Sequence, residues 1–412
     1  MKRTFSILLA LALVLGVSLV AATPVMAQTW LNGWNHRVEI TIDSDKIDAA
    51  LVNFPVLLYL STSSGIDPDD VSFVFDELGA EKLKLAVTTG DGTTQCYVEI
   101  DEWDDANEQA WLWVKVPSIS SSTDTTLYLY YDCTQPDNTT WVGETGTTPA
   151  QNVWDSHFVG VWHMTNGPTQ AILDSTSHAN NGAKKGANEP QQVDGQIGKA
   201  QDYDGIDDLV TLPDIDLHSA HSVECWLVRY GTQYGLFIAQ RGAGGNAFQF
   251  YDRPSATDNK LHYWNGTSIV DSDSDVSTGT WHYASVTHDG VSILAFYLNG
   301  VADGSRTLSL GGVSTENITL QRNTVHYAEG LLDEVRFSNV VRSAAWMKAT
   351  YHSGDDSLLS YGSEESGPPP VPVGWETYPI NKGSVLLPWI TLIAAIMAGA
   401  SLLVLRRRRV QS

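Results

Sequence analysis

The sequence predicts an all-β protein built from two tandem β-sandwich or jelly-roll domains, with an N-terminal signal peptide and one C-terminal transmembrane helix. Three observations predict it. Between two apolar ends, no long stretch repeats its apolar residues with a helical period. Short runs of alternating apolar and polar residues appear instead, separated by Gly, Asp, Asn, Ser and Thr, the pattern of sandwich strands and turns. Residues 28–384 are too many for one sandwich of about 100 residues, so two are expected.

The ends read first. Lys2 and Arg3 precede an apolar run from Phe5 to Val20, and Val25-Met26-Ala27 offers small or medium residues at a cleavage site. Residues 1–27 therefore read as a signal peptide, with Gln28 as the first mature residue. Val385 to Leu405 holds no charge and, at about 1.5 Å per residue, reaches about 30 Å, the thickness of a hydrocarbon core. Trp389 stands near its outer end, and Arg406, Arg407, Arg408 and Arg409 follow it, which places the tail 406–412 in the cytoplasm. The expectation is a single-pass cell-membrane protein with its N-terminal domains outside. A sorting segment removed in processing is the alternative for 385–405.

All 48 Asp and Glu lie within 28–384, whereas six of the 24 Lys and Arg (2, 3 and 406–409) lie outside it. So acidic a surface repels nucleic acid and anionic lipid. Export permits disulfides. Cys96 and Cys133 fall on segments that read as strands and form the candidate bridge. Cys225 alternates with Val223 and Leu227 and reads as a small buried apolar residue.

The first domain, 28–146, contains the alternating run His36 to Ile42, the more apolar Phe54 to Leu60, then Tyr97 to Trp103, Ala110 to Val116 and Thr125 to Tyr131. Leu112, Val114 and Val116 take one face of their strand, and Trp111, Trp113 and Lys115 the other. Five motifs in order, Trp34-x-x-Arg37-x-x-Ile40-x-Ile42, Phe54-Pro55-Val56, Val98 to Asp104, Trp113 to Pro117 and Leu127 to Tyr131, resemble the domain of unknown function 2341. That family brings no established activity. It usually continues with Gly-Asn where Asp132-Cys133 stands here, a departure consistent with a Cys96–Cys133 bridge.

The second domain, 150–362, opens on Gly160-Val161-Trp162-His163-Met164 and includes the polar hairpin Asp174 to Gly182. Tyr203 to Val210, Ser222 to Trp226, Gly279 to Val286, Phe296 to Gly300 and Leu332 to Ser338 follow, with a short helix near Ser343 to Tyr351. The order resembles the laminin-G-like, concanavalin A-like lectin jelly roll. Residues 363–384 hold five prolines, Pro368, Pro369, Pro370, Pro372 and Pro379, and read as a stalk.

The jelly-roll resemblance implies calcium held by loop carboxylates, here Asp174, Asp204, Asp208 and Asp333, because that ion takes several hard oxygen ligands. A turn at Asp204-Gly205 and an edge carboxylate at Asp333 are the plainer alternatives. Asp271 to Asp275 imitates the start of an EF-hand loop, but Val276 stands where Gly is needed and His282 where Glu is needed, so it reads as a solvated loop. Glu99-Ile100-Asp101-Glu102-Trp103-Asp104 is the nearest match to the glucanase pattern Glu-x-Asp-x-x-Glu, but it ends in Asp and sits in the first domain. It reads as carboxylates on a solvent face. No Gly-x-Ser-x-Gly elbow, zinc spacing or phosphate loop occurs, and His163 and His282 read as packed residues, so no catalytic residue is assigned. Trp111, Trp113, Tyr263 and Trp264 are the candidate stacking platforms for sugar rings.

The functional expectation is a non-enzymatic binding or adhesion protein for extracellular carbohydrate or another surface protein, with calcium as its one expected cofactor. A structural spacer and a glycoside hydrolase are the alternatives.

Overall fold

A computed structural model describes residues 30–367, except 167–169, 187–188, 232, 244, 254–258, 324 and the side chain at 246. The segments read as signal peptide (1–27), transmembrane helix (385–405) and basic tail (406–412) lie outside the described residues. The single-pass membrane topology is corrected: among the described residues, no helix is long and apolar enough to cross a membrane.

The first sandwich packs a four-stranded sheet on a five-stranded one. The four-stranded sheet runs Leu51–Leu60, Gln109–Ile119, Val98–Asp104, Val142–Glu144, the last pair parallel. Its alternation is as expected: Leu112, Val114 and Val116 enter the core with Val38, Ile40, Phe54, Val56, Val98, Leu127 and Leu129. The five-stranded sheet runs Leu359–Ser366, His36–Ile42, Thr125–Tyr131, Leu85–Thr89, Gln95–Cys96.

The second sandwich is the jelly roll. One sheet runs Ala183–Lys184, Val210–Leu212, Ile318–Leu320, Phe237–Gly242, Gly245–Asp252, Lys260–Trp264, Ile269–Asp275. The other runs Gln191–Asp194, Lys199–Asp204, Glu329–Ser338, His221–Arg229, Trp281–His288, Ile293–Leu298, Val301–Thr307, with Phe158–Trp162 also paired to Glu329–Ser338. Val223, Cys225, Leu227, Phe248, Phe250, Leu332, Val335 and Phe337 fill the space between them. Asp271 to Asp275 is the end of a strand rather than a loop: Ser272 turns inward while Asp271, Asp273 and Asp275 stay in water, so the acidic alternation is a sheet edge.

The two sandwiches are not separate beads. Residues 30–367 belong to one compact unit. Strand Leu359–Ser366 runs past position 362, where the second domain was expected to end, and pairs with His36–Ile42 of the first sandwich, His36 opposite Ser366 and Ile42 opposite Leu359. Arg37, buried in that sheet, donates from Nε (2.9 Å) and Nη2 (2.7 Å) to Glu365, with its guanidinium 3.9 Å from the Tyr128 ring centre. The helix Ala344–Gly354 precedes this strand and is capped by the Ser343 hydroxyl, which accepts from the Trp346 amide. Its Ser353 hydroxyl accepts from the Leu57 amide at 2.8 Å, which ties the helix to the four-stranded sheet.

One core feature sets a pH response. His221 is fully buried between Phe248, Tyr263 and His288, with ring contacts of 5.7 Å to His288, and bonds the Ser219 carbonyl and the Tyr263 hydroxyl. Burial, with His288 adding to it, pushes its pKa down from 6.5 to about 4. The unfolded chain therefore takes up a proton that the fold refuses, and stability falls as pH drops from 6.5 to 4. The expected loss is about 3 kcal/mol at 1.36 kcal/mol per unit. Urea midpoints across this range check it, with a flatter profile expected for His221→Gln.

Candidate functional site

Two polar sites stand out, one at the rim of the jelly roll and one buried where the sandwiches meet. The rim site is a cavity of about 450 Å³ lined by Glu189, Gln191, Asp202, Asp204 and Asp208. Strand register builds it: Gln191 lies opposite Asp202, and Asp204 opposite Glu329. The chain then reverses at Gly205, whose φ of +72° and 2.8 Å approach of a would-be Cβ to Glu329 exclude a side chain. Asp204 Oδ1 accepts from the Ile206 amide (2.8 Å), and Asp208 Oδ2 from the Asp204 amide (3.1 Å), so the turn itself presents both carboxylates. Burial raises the pKa of Asp208 and, with the charge of Asp204, that of Asp202. Lys185 pairs with Glu189 and Asp207 beside this group. Tyr230, half-buried, donates its amide to the Glu329 carbonyl at 3.3 Å, and its phenol is raised by burial and by the charges of Asp202 and Glu329.

Of the four expected calcium ligands, the structure brings together only Asp204 and Asp208. Asp174 is buried and already saturated: it accepts from the Val161, Thr176 and Asn180 amides and the Thr176 hydroxyl, and so organises its own hairpin. Asp333 lies in the second site. Its Oδ2 accepts from the Ile197 amide at 2.9 Å.

That second site is the junction cluster. The solvent-face reading of Glu99 and Asp101 is corrected: both side chains are buried against the jelly roll. Glu99 accepts from the Thr145 (2.8 Å) and Ser175 (2.7 Å) hydroxyls and the Trp154 indole (2.6 Å). His163, just after strand Phe158–Trp162, places Nδ1 2.6 Å from Glu334 Oε1 and 3.9 Å from Asp101 Oδ2, and Nε2 3.5 Å from Glu99 Oε2. Arg336 donates to Glu334 Oε2 at 2.6 Å and lies 4.2 Å over the Trp113 ring. Trp113 stacks on His163, centroids 5.9 Å apart. A cavity of about 250 Å³ opens beside Asp101 and His163, walled also by Thr145, Thr165 and Asn166.

The electrostatics follow from burial. Desolvation pushes Asp101 up to about 8; His163 opposes this, while Glu334 and Glu99 add to it. Burial alone would lower His163, but Glu334, Asp101 and Glu99 hold it well above its usual value. Burial alone would raise Glu334, but His163 and Arg336 hold it down.

The aromatic candidates divide. Trp113 is fully buried in the junction, and Tyr263 is in the jelly-roll core. Trp111 is half-buried and packs on Tyr59 at 5.1 Å, while Trp264 is half-buried with Arg241 4.8 Å over its ring. The predicted disulfide is absent: Cys96, Cys133 and Cys225 are all free thiols. Cys96 faces the first core, whereas Cys133 follows the end of its strand, where its amide donates to Glu77.

The architecture defines the class: a small β-sandwich joined to a concanavalin A-like jelly roll. Residues 67–148 match the model of the domain of unknown function DUF2341, and residues 204–348 match that of the concanavalin A-like lectin/glucanases superfamily. No curated protein matches the chain at a significant level. Among solved structures, domain 4 of AbnA, a GH43 extracellular arabinanase from Geobacillus stearothermophilus in complex with arabinotriose, is 21% identical with a TM-score of 0.39, over 46% of this chain and 96% of that one. The binding domain of Paraclostridial mosquitocidal protein 1 is 15% identical with a TM-score of 0.38, over 48% of this chain and 52% of that one. Trypanosoma rangeli sialidase in complex with sialic acid is 7% identical with a TM-score of 0.40, over 64% of this chain and 46% of that one. Likenesses this weak assign neither ligand nor chemistry.

Proposed function

We propose that this is a non-enzymatic glycan-binding protein whose jelly roll receives saccharide hydroxyls in the rim cleft of Glu189, Gln191, Asp202, Asp204 and Asp208, with calcium held by the same carboxylates. The cleft carries the reading. Its volume of about 450 Å³ is that of a small-molecule site. Ionised carboxylates only accept hydrogen bonds and sugar hydroxyls donate them, so four carboxylates and one amide form a matched surface. Hard oxygens from short turns are also the donor set calcium takes.

The test is a polysaccharide panel probed with wild type and Asp208→Asn, with calcium and with chelator. Saturable binding that calcium strengthens, and that the variant weakens at least tenfold, is expected. No binding in either condition would leave the sandwiches as spacers.

Glu99 argues against a hydrolase at the glucanase-like segment. Its carboxylate is fully buried and already accepts three hydrogen bonds, so no face is open to a glycosidic carbon. No reducing sugar is expected from any bound glycan; release that disappears in Glu99→Gln would contradict this.

A further inference from the structure

We propose that the junction cluster is a transition-metal site, in which Asp101, His163 and Glu334 ligate one divalent cation, zinc by preference, and pin the two sandwiches together. The three residues come from both modules: Asp101 from strand Val98–Asp104 of the first sandwich, His163 and Glu334 from the jelly roll. One ligand atom from each lies within 4.8 Å of the others.

The present distances suit an ion. Ligands about 2.0–2.1 Å from a tetrahedral zinc stand about 3.3 Å apart. His163 Nδ1 is now 2.6 Å from Glu334 Oε1 and 3.9 Å from Asp101 Oδ2, so the required separation falls between the two. Asp101 Oδ2 is buried and has no hydrogen-bond partner among the described residues. Its side chain is only 1% exposed. Leaving such an oxygen unpaired is costly, and an ion would satisfy it.

A second observation is independent of the ligand set. A metal-bound histidine usually offers its other ring nitrogen to a carboxylate. Here Nε2 of His163 faces Glu99 Oε2 at 3.5 Å and has no hydrogen bond. Glu334 is likewise oriented from outside, by Arg336 on Oε2, which leaves Oε1 for the ion. A nitrogen with carboxylate oxygens favours zinc over calcium, which takes oxygen alone. The cavity of about 250 Å³ beside Asp101 and His163 leaves room for a water as fourth ligand.

The test is equilibrium dialysis of the full chain, stripped by chelator, against zinc chloride, with X-ray absorption of the loaded wild type. One zinc per chain is expected, retained in Asp208→Asn, undisturbed by excess calcium and weakened at least tenfold in Asp101→Asn. The absorption spectrum should show imidazole and oxygen ligands without sulfur. No bound zinc, unchanged affinity in Asp101→Asn, or sulfur scattering from a cysteine would each overturn the assignment. Because the absorption spectrum is read on wild type, it stands even if a variant fails to fold. Loss of glycan binding in Asp208→Asn with zinc retained would keep this site separate from the rim cleft.

Discussion

Replacing Glu99 by alanine lowers the stability of the folded unit by about 3–5 kcal/mol, the cost of breaking a buried charged network by removing one partner. The reason is local. Thr145, Ser175 and the Trp154 indole all donate to this carboxylate, and Ser175 and Trp154 are buried with no water to turn to. His163 also loses one of the three negative charges that keep it protonated. Two of the donors flank the start of the jelly roll and one belongs to its first hairpin, so the damage reaches both sandwiches. A urea melt should show the loss as one shifted transition, because the first sandwich and the jelly roll share this network. Two transitions, with only one of them moved, would show that the sandwiches unfold independently. Glu99→Gln keeps the shape and one acceptor, so a loss of about 1–3 kcal/mol is expected there.

Trp346→Ala has an expected cost of similar size, about 3–5 kcal/mol, for a different reason. The ring is the apolar bolt of the assembly. It meets Phe54 of the first sandwich edge-on at 4.7 Å and Phe158 of the jelly roll at 6.2 Å. Arg342 covers it at 4.1 Å, and is itself held by two bonds to Asp155, of 2.8 and 2.7 Å. Truncation leaves a cavity between rigid sheets that the helix Ala344–Gly354 cannot fill by itself. Trp346→Phe, which keeps most of the ring volume, should lose less than half as much in the same melt.

These two residues also show what a sequence reveals of such a fold. Alternation told which side chains share a face: Leu112 with Val114 and Val116, Cys225 with Val223 and Leu227, and the structure puts each set in a core. The short helix expected near Ser343 to Tyr351 is there as Ala344–Gly354. Alternation does not tell what covers the opposite face. Trp113, Glu99 and Asp101 lie on the face that a lone sandwich would give to water, and the jelly roll covers it instead. Their chemistry was visible only as a run of acids, because the partners His163, Glu334 and Arg336 lie far along the chain, beyond the span of any local periodic pattern. The return of Leu359–Ser366 to His36–Ile42 has the same character, since pairing across the whole chain leaves no periodic trace. At the rim, the turn residues Asp204, Gly205 and Asp208 were legible, and Asp202 and Glu189 were not, because the pairing of Gln191 with Asp202 brings one there and the approach to that strand brings the other.

The glycan-binding account rests on the rim cleft, and titration calorimetry of residues 30–367 with the tightest saccharide from the panel tests it most directly. One site per chain is predicted, weakened at least tenfold by Asp204→Asn and by chelator, with the unfolding midpoint of the variant close to that of wild type. Equal affinity in wild type and Asp204→Asn, or binding indifferent to both Asp204 and Asp208, would contradict the account and move the search away from the rim.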